Sequence, residues 1–168
     1  ELVGQVFSHR DYFVQAVASA AKGEDVLTVA PPYRTVLGVW AVTISRVVVD
    51  NQGVVTGVVA ATLAPEYFQA MMTNMGHAPD MRVSLIHDTG RMYASAPFTE
   101  RLLSLDFLEP GTFTRSHRDS GLPENVFEGA TAAQGSEQRL AAFRTASLTE
   151  LGAHHGFYAV ASRSMDVL

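Results

Sequence analysis

At 168 residues, with 47% hydrophobic and only 17% charged positions, the chain can bury the core of one ordinary domain or two small ones. A net charge of -5 leaves no basic footprint for nucleic acid, no run approaches the roughly 20 apolar residues of a membrane span, and the start of the chain lacks the layout of a signal peptide. Cysteine is absent, which excludes disulfides, zinc-thiolate sites and thiol catalysis.

Glu1 to Ala21 opens irregularly and then sets Asp11 before YFVQAVASAA, an alanine-rich helical run with Phe13, Val14, Val17 and Ala21 at helical spacing. Lys22 to Asp25 closes it, with Gly23 as the C-terminal cap. Val26 to Ala30 reads as a short strand stopped by Pro31 and Pro32, after which Tyr33 emerges. The organising stretch is Leu37 to Ala64. Two runs dense in Val, Ile, Thr and Trp flank Asp50-Asn51-Gln52-Gly53, which predicts a β-hairpin. Gly57 inside the second arm implies a bulge or a close backbone approach, and Pro65 is suited to the first turn of a helix. In PEYFQAMMTNMG, residues Tyr67, Phe68, Met71, Met72 and Met75 share an apolar face that reads as core, and Gly76 ends the run.

From Met81 the strand pattern returns: RVSLIH, Asp88-Thr89-Gly90, then RMYAS, a second hairpin of the same design. Two copies of one supersecondary unit are expected. Residues 98–136 hold no sustained period and read as a long connection with short local helices. Gln138 to Ser147 and His155 to Ser162 suit strands and are expected to complete a second sheet.

The chemistry-bearing signatures are missing: there is no GxSxG, HExxH, Walker loop or GxGxxG, which weighs against an enzyme, including a small hydrolase built from scattered His, Asp and Ser. Histidines 9, 77, 87, 117, 154 and 155 read as surface or turn residues. On a strand His154 and His155 would face opposite ways and could not readily share a metal, so neither metal nor cofactor is expected. Asp50 and Asp88 read as turn aspartates bonding local backbone. Ser8 to Phe13 is either a helix N-terminus poised to meet an anion or a capping segment with solvated charges.

In order along the chain, HRDYF, the Pro-Pro-Tyr segment, GVWAVTISRVVVDNQGVVTGVVAATLAPEYF, VSLIHDTGRMYASAP and RLAAFRTAS resemble a double-Cache (PAS-like) extracytoplasmic sensor domain, of the kind that precedes diguanylate cyclases and histidine kinases in bacteria. The resemblance implies an α+β fold of PAS-like antiparallel sheets with flanking helices in tandem: a membrane-distal subdomain at 1–64, incomplete at its N-terminus, and a membrane-proximal one at 65–168. It also implies a periplasmic position in an inner-membrane protein, anchors outside this chain, and a homodimer aligned by an upstream helix; without that helix the isolated chain is expected to be a monomer or weak dimer.

A non-enzymatic module that binds a small molecule in its distal pocket is therefore expected, with a ligand-free structural or dimerisation module as the alternative. The expected lining is Arg10 and Tyr12 before the helix, Tyr33 after the prolines, Trp40 on the hairpin and Thr62 on the return strand; each of these could instead be core or surface. Trp40 shares strand parity with Val42, Ile44 and Arg46. Members that bind free amino acids carry Tyr, then Arg-x-Trp, then an Asp that receives the ammonium. Here Tyr33 and Trp40 fit, but Gly38 stands at the arginine position and Thr62 at the aspartate position. A small neutral or anionic metabolite is expected instead, with Arg10 the partner of an anionic group.

Overall fold

A computed structural model describes residues 3–74, 78, 80–131, 135–147 and 155–167; Met75, Gly76, His77 and His154, named above, lie outside them. The chain divides into two compact units, one ending at Leu63 and the next beginning at Ala64 and closing with the strand that starts at Gly156.

The first unit lays one helix on a sheet. Helix α1 (Asp11–Ala21) starts one residue earlier than the sequence implies: Arg10 is the N-cap and Asp11 occupies the first turn. It stops at Lys22, and Gly23 follows at φ 76° in the left-handed region that caps helices. Strands β1 (Thr28–Val29) and β2 (Tyr33–Arg34) lie end to end along one edge of the long β3 (Trp40–Val49). The break between them is Pro31-Pro32, which has no N–H to donate to a ladder. On its other edge β3 pairs with β4 (Val55–Leu63) from Val42–Leu63 to Val49–Val55.

The turn of this hairpin is built by its own aspartate. The Asp50 carboxylate accepts from the amides of Gln52 at 2.8 Å and Val54 at 2.9 Å, and Gly53 supplies φ 81°. Val48 pairs with Gly57 but Val49 with Val55, so Thr56 is the extra residue of a β-bulge. A side chain at Gly57 would meet nothing within 4 Å. Of the two readings of Gly57, the bulge is the one observed.

The second unit is a five-stranded antiparallel sheet. Helix α2 (Pro65–Thr73), with proline at its first position, leads to β5 (Arg82–His87) and β6 (Met92–Ala96), a 3-10 turn (Glu100–Ser104), helix α3 (Phe113–Ser120), β7 (Glu124–Thr131), β8 (Gly135–Ser147) and β9 (Gly156–Ser164). Spatial order is β6-β5-β9-β8-β7. On one face, Phe68 of α2 packs edge-on to Tyr93, which meets Phe157 at 4.9 Å between centroids and lies near-parallel to His87. On the other, His117 of α3 stacks on Phe143 at 5.2 Å and meets Tyr158 edge-on.

Four expectations are corrected. His87 and His117 are not surface residues: they are 0% and 1% exposed, because strand pairing brings Tyr93 and Phe157 to one ring and Phe143 and Tyr158 to the other. The α2 face is not all core, since Tyr67 and Met71 stand 66% and 53% exposed. The span 98–136 is not only a connection, for β7 pairs with β8 along Glu124–Arg144 to Gly129–Arg139. Asp88 serves more than its own turn: its carboxylate accepts from the Gly156 amide at 3.1 Å, while His87 Nδ1 accepts from the Thr89 amide.

Candidate functional site

Antiparallel partners share a face, so the register sorts the expected site residues. Tyr33 pairs with Ala41, and Thr62 with Thr43. Tyr33, Thr43, Ser45 and Thr62 therefore form one row. The Tyr33 hydroxyl lies 3.0 Å from Thr43 Oγ1, which lies 3.2 Å from Thr62 Oγ1, a chain of hydroxyls across three strands. Thr43 is fully buried and Thr62 exposed, so the chain runs from core to surface.

Helix α1 covers this row. Ser45 Oγ donates to the Tyr12 carbonyl at 2.8 Å, and the Tyr12 and Tyr33 rings lie 6.1 Å apart. Burial is the main cause that raises the Tyr12 pKa, with Tyr33 adding and Arg10 opposing. The Arg10 guanidinium stands 5.3 Å from the Tyr33 centroid and donates to the Arg34 carbonyl at 3.3 Å. Among the described residues no carboxylate pairs with Arg10. The unit's Arg46, by contrast, is held by Asp25 at 2.7 Å and keeps that carboxyl below its ordinary value.

Arg10 and Tyr12 thus lie beside Tyr33, Thr62 is linked to Tyr33 through Thr43, and Trp40 does not join them. It pairs with Arg34, whose guanidinium lies 5.3 Å from its ring, on the face opposite Thr43. Two residues that the sequence reading left out belong to the row: Thr43, the middle hydroxyl, and Ser45. Both sit at alternate positions of the strand containing Ala41, so the strand period would have found them once Tyr33 was known to pair there.

Chemically the row offers a cation on an aromatic face, hydroxyls and backbone carbonyls. It has no paired acid and base and no nucleophile beside a general base.

No family model and no curated protein matches this sequence. Solved structures do. The periplasmic sensory domain of the Campylobacter jejuni chemoreceptor Tlp1 superposes with a TM-score of 0.74 at 15% identity, over 95% of this chain and 56% of that one. The extracellular domain of rpHK1S-Z16, named as a histidine kinase, gives 0.71 at 21%, over 91% and 59%. The ligand-binding domain of the Pseudomonas aeruginosa PAO1 amino acid chemoreceptor PctB, in complex with L-Arg, gives 0.71 at 13%, over 98% and 63%. These neighbours are sensor domains rather than catalytic ones, and the chain has their fold. It spans less than two thirds of their length.

Proposed function

We propose that this chain, with the fold of bacterial periplasmic sensor domains, is the extracytoplasmic signal-sensing region of a membrane-bound Cache-type receptor whose output is a diguanylate cyclase or a histidine kinase. On this reading the unit at 1–64 is the membrane-distal subdomain and that at 65–168 the proximal one. The ligand is a small neutral or anionic metabolite bound beside Arg10, Tyr12, Tyr33 and Thr62. Binding acts through differential affinity for two packings of the chain, and no reaction is catalysed.

The observation that carries this reading is Arg10, a half-buried guanidinium on an aromatic face with no carboxylate partner among the described residues. It complements an anion. Several structural neighbours hold amino acids, but here Thr62 bonds to Thr43 where a carboxylate would be needed. An α-ammonium would be desolvated without a counter-charge, at a cost of several kcal/mol. Calorimetric titration tests both halves: α-amino acids are expected not to bind at micromolar concentration, and Arg10→Ala is expected to weaken a carboxylate ligand at least tenfold. Micromolar binding of an amino acid, or indifference to Arg10→Ala, overturns the corresponding half.

A second reading, a ligand-free dimerisation module, draws on one feature. The hydroxyls of Tyr33, Thr43 and Thr62 already satisfy each other. No thermal shift from any member of a metabolite library, combined with a dimer in sedimentation, would favour it.

A further inference from the structure

The second unit contains a cleft unrelated to the row around Arg10. It lies between the sheet face that carries Ser84, Val160 and Phe143, one row of the ladder, and the segment from Pro97 to Thr114, and it has a volume of about 300 Å³. That is the lower end for a small-molecule site. Its lining combines the apolar side chains of Ile86, Leu102, Phe107 and Val160 with Arg82, Arg101 and the hydroxyl-bearing Ser84, Thr99, Thr114 and Ser162.

Charge beside the cleft is unbalanced. Arg82 and Arg139 share the one carboxylate of Glu137, at 3.0 and 2.8 Å. Two guanidiniums thus face one carboxylate. Arg139, 1% exposed, donates a hydrogen bond to the lining residue Ser162 at Oγ, 3.1 Å away. Arg101, at the cleft's rim, adds a guanidinium with no hydrogen bond or ion pair among the described residues.

A second feature points to an occupant. Thr114 is 3% exposed and lines the cleft, and its hydroxyl has no hydrogen-bond partner among the described residues. The hydroxyl oxygen is not itself fully buried, so a molecule in the cleft can reach it. Ser84 and Thr99 likewise bring hydroxyls without a protein partner to the same cavity.

We infer that this cleft is a second ligand site, in the second unit, for a short-chain aliphatic monocarboxylate. The carboxylate meets Arg101 and the Thr114 hydroxyl, where charge-assisted bonds are the stronger kind, and the hydrocarbon tail lies against Ile86, Leu102, Phe107 and Val160. A dicarboxylate would put its second charge against Leu102 and Phe107, and an amine would face the excess of guanidiniums. The site takes one negative charge and one short tail.

The test is titration calorimetry of the whole chain with butyrate, alongside neutral butyramide and cationic butylamine. Butyrate is expected to bind one to one, and the amide and the amine are not. Arg101→Gln, at an exposed position, is expected to weaken butyrate about tenfold or more, and Thr114→Val severalfold with an unchanged melting temperature. Two-dimensional NMR during the same titration is expected to show butyrate shifting the amides around Phe107 and Thr114, whereas a carboxylate in the first unit would shift those of Tyr33 and Thr62, so failure here and failure of the first-unit reading are separate results. No binding of butyrate at 10-millimolar order, binding unaffected by Arg101→Gln, or butyrate shifts confined to the first unit would overturn the inference.

Discussion

The Arg34 guanidinium lies 5.3 Å from the centroid of the Trp40 ring, its cross-strand partner, and donates to the Gly38 carbonyl at 3.0 Å. Trp40 is the chain's single tryptophan, so its emission reports on the first unit alone. Arg34→Ala is expected to shift that emission to the red by uncovering a half-buried ring. Steady-state fluorescence of the two proteins checks this, and unfolding followed by tryptophan emission and by far-ultraviolet circular dichroism separates the first unit from the whole.

In the second unit, the guanidinium of Arg139 is almost wholly buried and makes four hydrogen bonds, to Ser162 Oγ, the Ser162 and Asp80 carbonyls and Glu137. Arg139→Ala removes all four. Denaturant unfolding is expected to show a loss of about 3–5 kcal/mol, the usual cost of breaking one side of a buried ionic cluster. Arg139→Met, which fills the space with an apolar side chain, is expected to lose less.

His117 Nδ1 is buried without a hydrogen-bond partner and Nε2 lies 2.9 Å from Thr145 Oγ1. Burial holds the imidazole below its ordinary value of 6.5. The unfolded chain takes up the proton first, so this contribution to stability is complete above about pH 6.5 and is lost as pH falls through the depressed folded value. Melting temperature measured between pH 7.5 and 5 is expected to decline in the wild type and to be flatter in His117→Gln. The depressed carboxyls, Glu137 with its Ser164 hydrogen bond and Asp119 with its Arg115 hydrogen bond, lose their contribution only below pH 4.5, outside this window.

Gly53 and Gly90 end the two hairpin turns at φ 81° and 86°, yet they differ in surroundings. A Cβ on Gly53 meets open space, whereas on Gly90 it runs into Asp106 Oδ1 and stands 2.9 Å from Leu108 Cγ. Gly53→Ala is expected to cost about 1–2 kcal/mol from the left-handed backbone alone. Gly90→Ala is expected to cost more in the same unfolding assay, because Phe107 donates to the Gly90 carbonyl at 2.8 Å and cannot withdraw freely.

What could be read from the sequence was what is decided locally. Asp50 and Gly53 make their turn with neighbours two to four residues away, and Pro65 and Gly23 mark helix ends by their own backbone constraints. Strand β7 was hidden because Glu124, Asn125 and Glu128 give it no apolar alternation; its ladder with β8 makes it a strand. The burial of His87 and His117 depends likewise on residues tens of positions away. In the candidate site, Arg10 and Tyr12 lie beside Tyr33 and Thr62 is linked to Tyr33 through Thr43, but parity cannot be counted through the turn from Tyr33 to Trp40, and that turn sends Trp40 to the other face. Arg101 and Thr114 went unnoticed because they come from a span without periodicity.

Strand β4 has one strand partner among the described residues, and Val55 and Val59 on it are 38% and 61% exposed. Its outer side is a row of N–H and C=O groups on a β-branched surface, a template for the same strand of another copy. In solutions of the isolated chain this is expected to produce association that grows with concentration and time and ends in insoluble material. Val59→Lys, a charge placed where natural edges carry one, is expected to slow that process in a light-scattering time course while leaving the fold, read by circular dichroism, unchanged. The property at stake is colloidal: how long and how concentrated the protein can be kept in a tube.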